Sequence, residues 1–237
     1  SGSVEKDVLR RHGGATAEAL VESALRHVSI LERIGYEEIK ISVKASDVPR
    51  TLAAYRLLAA KTGYPLHLGV TEAGTFLAGT IRSSAAMGIL LAEGLGDTIR
   101  VSLTDTPSRE VRVGLELLRC LGLRGPGPNV VSCPTCGRVE VDVAGVAEAL
   151  ETALEACYRE LPDGPRPTVA VMGCMVNGPG EARDADIAVA GGKGAFALYV
   201  DGRPEGRVAE GEAVSAVMDA VGRWCAARLG NGAQAGE

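Results

Sequence analysis

The chain has 237 residues, of which 46% are hydrophobic and 23% are charged, so it can bury a sizeable core and is not a disordered chain. Its net charge of −5 and its aromatic content of 3% argue against a nucleic-acid-binding protein, which would use a basic surface or stacked aromatic rings. No apolar run approaches the roughly 20 residues that cross a bilayer, and the first residues have no targeting pattern. We therefore expect a cytoplasmic protein that does not bind a membrane.

The first half of the chain alternates helices with short strands. The spacing of apolar residues predicts four helices, over about 16–34, 47–61, 78–91 and 107–120. Runs rich in β-branched residues predict three strands, over 39–43, 66–70 and 98–103. Such alternation is typical of the parallel sheet of an α/β protein, as in a TIM-type (β/α)8 barrel.

We expect the carboxy-terminal part of such a barrel, because three strand–helix rounds cannot close eight strands. The first predicted helix has no strand before it, and the sequence has no initiator methionine. Both features predict a chain that lacks the earlier barrel repeats, whether by nature, by engineering or through an incomplete gene.

A glycine- and proline-rich run at 124–128 predicts a boundary between two domains, 1–125 and 126–230. The second domain has the predicted order strand, helix, three strands, helix. Its strands are predicted over 129–132, 168–172, 187–190 and 195–200, and its helices over 143–161 and 211–229. This order indicates a small α+β domain, and we expect residues 231–237 to be a disordered tail. The glycine-rich loop at 191–194 predicts a hairpin turn.

Cysteines give the strongest chemical signal in the second domain. Cys133 and Cys136 form a CxxC motif directly after a predicted strand, and Cys174 follows the next strand. If these strands are parallel neighbours, both turns lie at the same end of the sheet and the three thiolates can meet there. Such a set fits an iron–sulfur cluster or zinc. Glu181 is the natural oxygen donor for a fourth position, although an exposed loop carboxylate is the alternative.

The other three cysteines lie in or at the end of predicted helices, among leucine and alanine residues; they are Cys120, Cys157 and Cys225. Free cysteine is commonly a small buried apolar residue. We therefore expect these three to be buried and to play no part in the chemistry.

Polar side chains in the first domain follow the ends of successive strands. Lys44 follows the first strand and Glu72 the second, while Arg100 and Ser102 share one face of the third. Carboxy-terminal strand ends form the active site of β/α barrels, where Lys and Arg would hold an anion such as phosphate. The alternative for each residue is a surface salt bridge. His67 faces away from its leucine neighbours, where a structural role is more common than a catalytic one.

Five segments closely resemble the bacterial 4-hydroxy-3-methylbut-2-enyl diphosphate synthase family of the non-mevalonate isoprenoid pathway. They are VKASD (43–47), LHLGVTEAG (66–74), GDTIRVSLT (96–104), CPTCGR (133–138) and GCMVNGPGE (173–181). The resemblance implies an iron–sulfur oxidoreductase with a TIM barrel. It would open the ring of 2-C-methyl-D-erythritol 2,4-cyclodiphosphate reductively, with two electrons from ferredoxin or flavodoxin, to give 4-hydroxy-3-methylbut-2-enyl diphosphate.

The resemblance also implies roles for individual residues. Three cysteines and one glutamate would hold a [4Fe-4S] cluster: Cys133, Cys136, Cys174 and Glu181. Lys44, Arg100 and Ser102 would bind the substrate diphosphate, and Glu72 would line that pocket. Glu72 and Glu181 are thus the candidate catalytic residues.

Family members are homodimers in which the cluster domain of one subunit covers the barrel of the other. They carry further barrel repeats with additional arginines before the point where this chain starts. The resemblance therefore implies that this polypeptide alone is inactive or very weak.

Two other functions fit the cysteines without the resemblance. One is a zinc-stabilised binding domain that uses Cys133, Cys136, Cys174 and one further ligand. The other is a thiol–disulfide oxidoreductase, in which Cys133 and Cys136 form a reversible disulfide. Neither explains the ordered segments of the first domain.

Overall fold

The structure is a computed structural model and describes residues 4–160, 164–176, 180 and 182–232. The chain divides into two compact units, Ser1–Gly125 and Pro126–Glu237, at the glycine- and proline-rich run. Each unit mixes helices with strands and has its own hydrophobic core.

Five helices and a short parallel sheet form the first unit. The helices are α1 (Lys6–His12), α2 (Ala17–Arg33), α3 (Val48–Ala59), α4 (Phe76–Ala92) and α5 (Pro107–Cys120). Strands β1 (His67–Gly69) and β2 (Thr98–Arg100) pair in parallel. The core contains the fully buried side chains of Tyr55, Leu58, Leu68, Met87 and Leu90.

Side-chain caps fix the starts of two of these helices. The Thr16 hydroxyl accepts a hydrogen bond from the Ala19 amide (3.2 Å) at the start of α2. The Asp47 carboxylate accepts one from the Arg50 amide (2.9 Å) at the start of α3. Each satisfies an amide that has no partner within the helix.

The strand predicted over 39–43 is reduced to one parallel bridge between Ile41 and Leu66. The Ile41 amide donates to the Pro65 carbonyl (2.9 Å), and the Ile41 carbonyl accepts from the His67 amide (2.8 Å). The segment thus continues the sheet at β1 without a full ladder. The short helix α1, in contrast, was not predicted from the sequence.

In the residues that the structure describes, the second unit contains a five-stranded sheet and two long α-helices. The strands are β3 (Asn129–Ser132), β4 (Thr168–Met172), β5 (Ile187–Gly192), β6 (Ala195–Val200) and β7 (Arg203–Ala209), and the helices are α6 (Val143–Glu160) and α7 (Ala213–Gly232). The five strands lie in the sheet in the order in which they occur along the chain. Strands β3 to β5 are parallel, and β6 and β7 are antiparallel to their neighbours.

Two tight turns shape the antiparallel part of this sheet. Lys193 and Gly194 (φ of 54° and 71°) turn β5 into β6, which confirms the predicted hairpin. Asp201 and Gly202 (φ of 47° and 72°) turn β6 into β7, a strand that was not predicted. Left-handed backbone at both central residues is what a two-residue hairpin turn of the right twist needs.

The last helix extends beyond its predicted end at residue 229 and includes the first two residues of the predicted tail. Residues 233–237 lie outside the described residues. Within the part of the chain that the structure describes, no helix is long and apolar enough to span a membrane.

Candidate functional site

Polar residues of the first unit line up in two rows across one face of its sheet. The register pairs His67 with Thr98 and Gly69 with Arg100, and the bridge at Ile41 continues it onto the neighbouring segment. Alternate residues of a strand face the same side. The lower row is therefore Ser42, His67 and Thr98, and the upper row is Lys44, Gly69 and Arg100.

The upper row depends on the glycine between its two cations. A Cβ atom at Gly69 would lie 2.8 Å from the Arg100 carbonyl oxygen and 3.0 Å from Lys44 Cδ. The missing side chain therefore leaves the space that the Lys44 stem occupies. Burial lowers the pKa of Lys44, and the charge of Arg100 lowers it further. The two cations thus converge at the carboxyl end of the sheet, where strand-end reasoning predicted them.

Ser102 joins this site as predicted, because Arg100 Nε donates to its hydroxyl (3.2 Å). Among the residues that the structure describes, neither Lys44 nor Arg100 forms an ion pair with a carboxylate. Two converging cations without a carboxylate partner favour an anionic ligand.

The lower row contains His67, for which the sequence analysis favoured a structural role over a catalytic one. Its Nδ1 lies 2.8 Å from the Thr98 hydroxyl oxygen. Its carbonyl accepts hydrogen bonds from the hydroxyls of Ser42 (2.9 Å) and Tyr55 (2.5 Å). Burial lowers the pKa of His67, and the charges of Lys44, Lys40 and Arg100 lower it further. The signal that sequence reasoning missed is the shared register of alternating polar residues on three neighbouring segments.

Glu72 lies just past β1, exposed and in a left-handed conformation (φ of 54°) that residues other than glycine rarely adopt. Strained backbone of this kind is common at functional loops. Within the described residues, no hydrogen bond or ion pair joins Glu72 to Lys44, Arg100 or Ser102. Its predicted role stays a prediction.

The parallel pairing of β3 with β4 brings together the two turns that carry Cys133 and Cys174. Ser132 and Val171 are register partners, so the turns that follow them lie at the same end of the sheet. The Cys133 amide donates to the Val171 carbonyl (3.2 Å), and Cys133 Sγ accepts a hydrogen bond from the Gly173 amide (3.2 Å). This hydrogen bond holds the sulfur of one turn against the backbone of the other.

Gly173 allows this close approach. A Cβ atom there would lie 2.7 Å from Val143 Cγ2, 2.9 Å from Val139 Cγ2 and 3.5 Å from Cys133 Sγ. The Gly173 carbonyl in turn accepts from the Glu140 amide (3.1 Å). The turn that carries Cys174 is thus held directly against the turn that carries Cys133.

The donor chemistry of this end of the sheet fits a thiophilic metal or an iron–sulfur cluster. Cys133 and Cys174 are half-buried and Cys136 is exposed. In the described ranges, however, no three Cys, His, Asp or Glu side chains are close enough to hold a metal ion. Glu181, the predicted fourth ligand, lies outside the described residues.

The remaining cysteines differ in burial. Cys225 is buried as predicted, its thiol donates to the Pro165 carbonyl (3.3 Å), and burial raises the pKa of that thiol. Cys157 is half-buried. The prediction of burial is wrong for Cys120, which is exposed, because the last turn of α5 ends at the surface there.

A parallel sheet with Lys44 and Arg100 at its carboxyl end, joined in one chain to a sheet with cysteine turns at one end, defines an α/β protein with a candidate anion site and a candidate thiol site. Comparisons with known proteins agree with this class. The family model described as the GcpE TIM-barrel domain matches residues 1–115, and the model described as the GcpE protein C-terminal domain matches residues 129–223. The chain belongs to the GcpE family.

Several curated relatives are about half identical to the chain. A protein from Geobacter sulfurreducens is 56% identical over 93% of this chain and 61% of its own length. Proteins from Desulfotalea psychrophila and Symbiobacterium thermophilum are 54% and 51% identical, over 89% and 93% of this chain and 57% and 58% of their own lengths. All three are named 4-hydroxy-3-methylbut-2-en-1-yl diphosphate synthase (flavodoxin). The chain therefore spans about three fifths of the length of these relatives.

Proposed function

We propose that the chain provides the cluster site and part of the substrate site of a 4-hydroxy-3-methylbut-2-enyl diphosphate synthase. The reaction is the reductive ring opening and dehydroxylation of 2-C-methyl-D-erythritol 2,4-cyclodiphosphate with two electrons. The relatives' shared name supports the product, and the two sites described above support an anionic substrate and a redox group.

The first unit would bind the diphosphate part of the substrate. Lys44 and Arg100 form no ion pair with a carboxylate of the described residues and offer charge-assisted hydrogen bonds, and Ser102 offers a further donor. Glu72, at the same ends of the strands, would line the pocket near the reacting carbon atoms. Holding the substrate by its fixed charges sets the orientation of the group to be reduced.

The second unit would hold a [4Fe-4S] cluster through Cys133, Cys136, Cys174 and Glu181. When bound, such a cluster supplies low-potential electrons, and an iron with a carboxylate ligand can exchange that ligand for a substrate oxygen. The protein's part is to present the cysteine sulfurs, and the hydrogen bond from the Gly173 amide to Cys133 Sγ holds the two turns together. This contact between the two cysteine turns is the observation that carries the proposal.

Ferredoxin or flavodoxin would supply the electrons, and flavodoxin stands in the names of the relatives. We further propose that the working enzyme is a homodimer in which one subunit's cluster unit covers the other's substrate unit. Because the relatives are longer than this chain, the chain alone should have little or no turnover.

The test is anaerobic reconstitution of the chain with iron and sulfide, followed by metal and sulfide counts and an electron paramagnetic resonance spectrum. We expect about four irons and four sulfides for each chain, as a [4Fe-4S] cluster requires. Cys133→Ser, Cys136→Ser and Cys174→Ser should each lose most of the iron, and Glu181→Gln should change the spectrum.

The chain contains its own matched controls for this experiment. Cys120→Ser, Cys157→Ser and Cys225→Ser remove the same atom elsewhere and should keep the iron. Stoichiometric zinc without iron would instead favour the zinc-stabilised binding domain. A reversible disulfide between Cys133 and Cys136 without bound metal would favour the thiol–disulfide oxidoreductase.

A further inference from the structure

His67 lies directly beneath the proposed anion site, and the proposed function does not use it. It occupies the middle of the lower row, while Gly69, two residues further along β1, occupies the middle of the upper row. The imidazole is therefore one row, or about 7 Å of strand, below the space between Lys44 and Arg100.

Hydrogen bonds hold both the imidazole of His67 and the backbone that carries it. Thr98 Oγ1 lies 2.8 Å from its Nδ1, which holds the ring over β2. The hydroxyls of Ser42 and Tyr55 both donate to the His67 carbonyl and hold its backbone. Of the two ring nitrogens, Nε2 is thus the one left for a ligand.

The charges around the ring are all positive in the absence of a ligand. Lys40 and Lys44 approach from the segment before α3, and Arg100 approaches from β2. Tyr55 comes from α3 and is neutral, because burial raises its pKa. Asp97, at the start of β2, has its carboxylate on the Leu66 amide (2.7 Å). A bound anion would place negative charge near the ring and so oppose the effect of these positive charges.

We propose that His67 is the third arm of the anion site and takes up a proton from solvent when an anion binds beside Lys44 and Arg100. In the cation both ring nitrogens carry hydrogen, so Nδ1–H donates to Thr98 and Nε2–H becomes a further donor toward the anion. The one bond formed is an N–H bond on the imidazole, whose proton comes from solvent, so at most one proton is gained for each anion bound.

The pH dependence follows from linkage. In the free protein burial, together with the charges of the neighbouring cations, keeps the pKa of His67 below its ordinary value, and a bound anion would raise it. Anion affinity is then highest below the free-state pKa and falls as pH rises toward the pKa of the complex. One linked proton changes the affinity by at most about tenfold for each pH unit.

Sulfate is the probe for the test, because it stays divalent across the range and contributes no proton of its own. Calorimetric titration of the whole chain from about pH 5 to about pH 8, in buffers of different ionisation enthalpy, counts the protons taken up. We expect proton uptake and a several-fold fall in affinity with rising pH in the unmodified chain. In His67→Gln, whose amide can still bond to Thr98, we expect a pH-independent affinity and no uptake.

His27→Gln is the matched control, since it removes an exposed imidazole on α2, and it should behave like the unmodified chain. The chain has three histidines, so ring resonances in NMR spectra give a second measurement that needs no variant. Sulfate should raise the pKa of His67 and leave the pKa values of His12 and His27 unchanged.

This inference rests on the proposed anion site, and the two fail differently. Sulfate binding that depends on Lys44 and Arg100 but releases or takes up no proton, with an unmoved His67 titration, overturns the role of His67 alone. An absence of sulfate binding, or binding that survives in Lys44→Ala and Arg100→Ala, overturns the anion site and the inference with it.

Discussion

At the scale of single residues, two missing side chains position the chemistry. Gly69 leaves room for the Lys44 stem beside Arg100, and Gly173 lets the Cys174 turn approach Cys133. Neither glycine has a left-handed backbone, so neither is required by its conformation. Both are required by space: a Cβ atom at Gly69 would press on the Arg100 carbonyl and the Lys44 stem, and one at Gly173 would press on Val143 and Val139.

The first prediction at this scale concerns Gly69→Ala. The added methyl group would press on the Arg100 carbonyl and the Lys44 stem, and overpacking of this kind costs about 1–3 kcal/mol. We expect a lower melting temperature together with weaker sulfate binding, measured by calorimetry, because the two cations are pushed apart.

Gly114→Ala is its control, since this glycine lies on α5 against the opposite face of β2. A Cβ atom there would meet Ile99 Cδ1 at 3.5 Å and Val101 Cγ2 at 3.6 Å, which are ordinary contacts. Alanine also favours a helix over glycine by about 1 kcal/mol. Unchanged sulfate affinity in both variants would contradict the spacing role of Gly69.

At the scale of elements, the same residue type at the start of two helices differs in whether it makes a capping hydrogen bond. Thr16 and Thr75 both precede a helix of the first unit, α2 and α4. The Thr16 hydroxyl accepts from the Ala19 amide, whereas the Thr75 side chain makes no capping hydrogen bond. Residue type alone therefore does not measure what a cap contributes.

We predict that Thr16→Ala destabilises the chain by about 1 kcal/mol, the usual contribution of a capping hydroxyl. Thr75→Ala makes the same chemical change and should shift the free energy of unfolding by less than half as much. Urea unfolding followed by circular dichroism measures both. Equal losses in the two variants would show that the Thr16 hydrogen bond adds nothing.

The sequence predicted the strongly patterned elements of the fold and missed those fixed by distant partners. Helix α5 and strand β4 have the predicted bounds because their apolar pattern is local. Strand β7 was missed because its sequence contains proline, glycine and charges, although the Asp201–Gly202 turn before it is a hairpin signal. The strand expected over 39–43 has the right composition, but its ladder is one bridge.

The same distinction applies to the candidate sites. Lys44, Arg100 and Ser102 were predicted because each follows or ends a strand in the sequence itself. The lower row was not, since placing His67 beside Thr98 requires the register of two strands about thirty residues apart. The two cysteine turns were predicted to lie at the same end of the sheet only on the condition that β3 and β4 are parallel, which the structure satisfies.

At the scale of the whole molecule, each unit has its own core and its own candidate site. The core of the first unit surrounds Tyr55 and Leu68, and the core of the second surrounds Leu150 and Phe196. Each core is built from the residues of one unit, so the protection of each unit can be followed by itself.

We predict that hydrogen exchange will separate the two sites. Sulfate should slow exchange in β1 and β2, and cluster reconstitution should slow it in β3, β4 and the turns that follow them. At a ligand concentration of about 100 times the dissociation constant, the protection corresponds to at most about 2.7 kcal/mol. Equal protection of both units by sulfate would contradict separate sites.

The single tryptophan of the chain, Trp224, lies in the core of the second unit. Its indole N–H donates to Asp201 (3.0 Å), and the Arg228 guanidinium lies 3.6 Å from the ring centre. Fluorescence excited at the red edge of the protein's absorption spectrum thus comes from the second unit alone. An iron–sulfur cluster absorbs across the emission band of tryptophan. Binding of a cluster would therefore quench the fluorescence of Trp224, which gives an optical measure of cluster occupancy without an added dye.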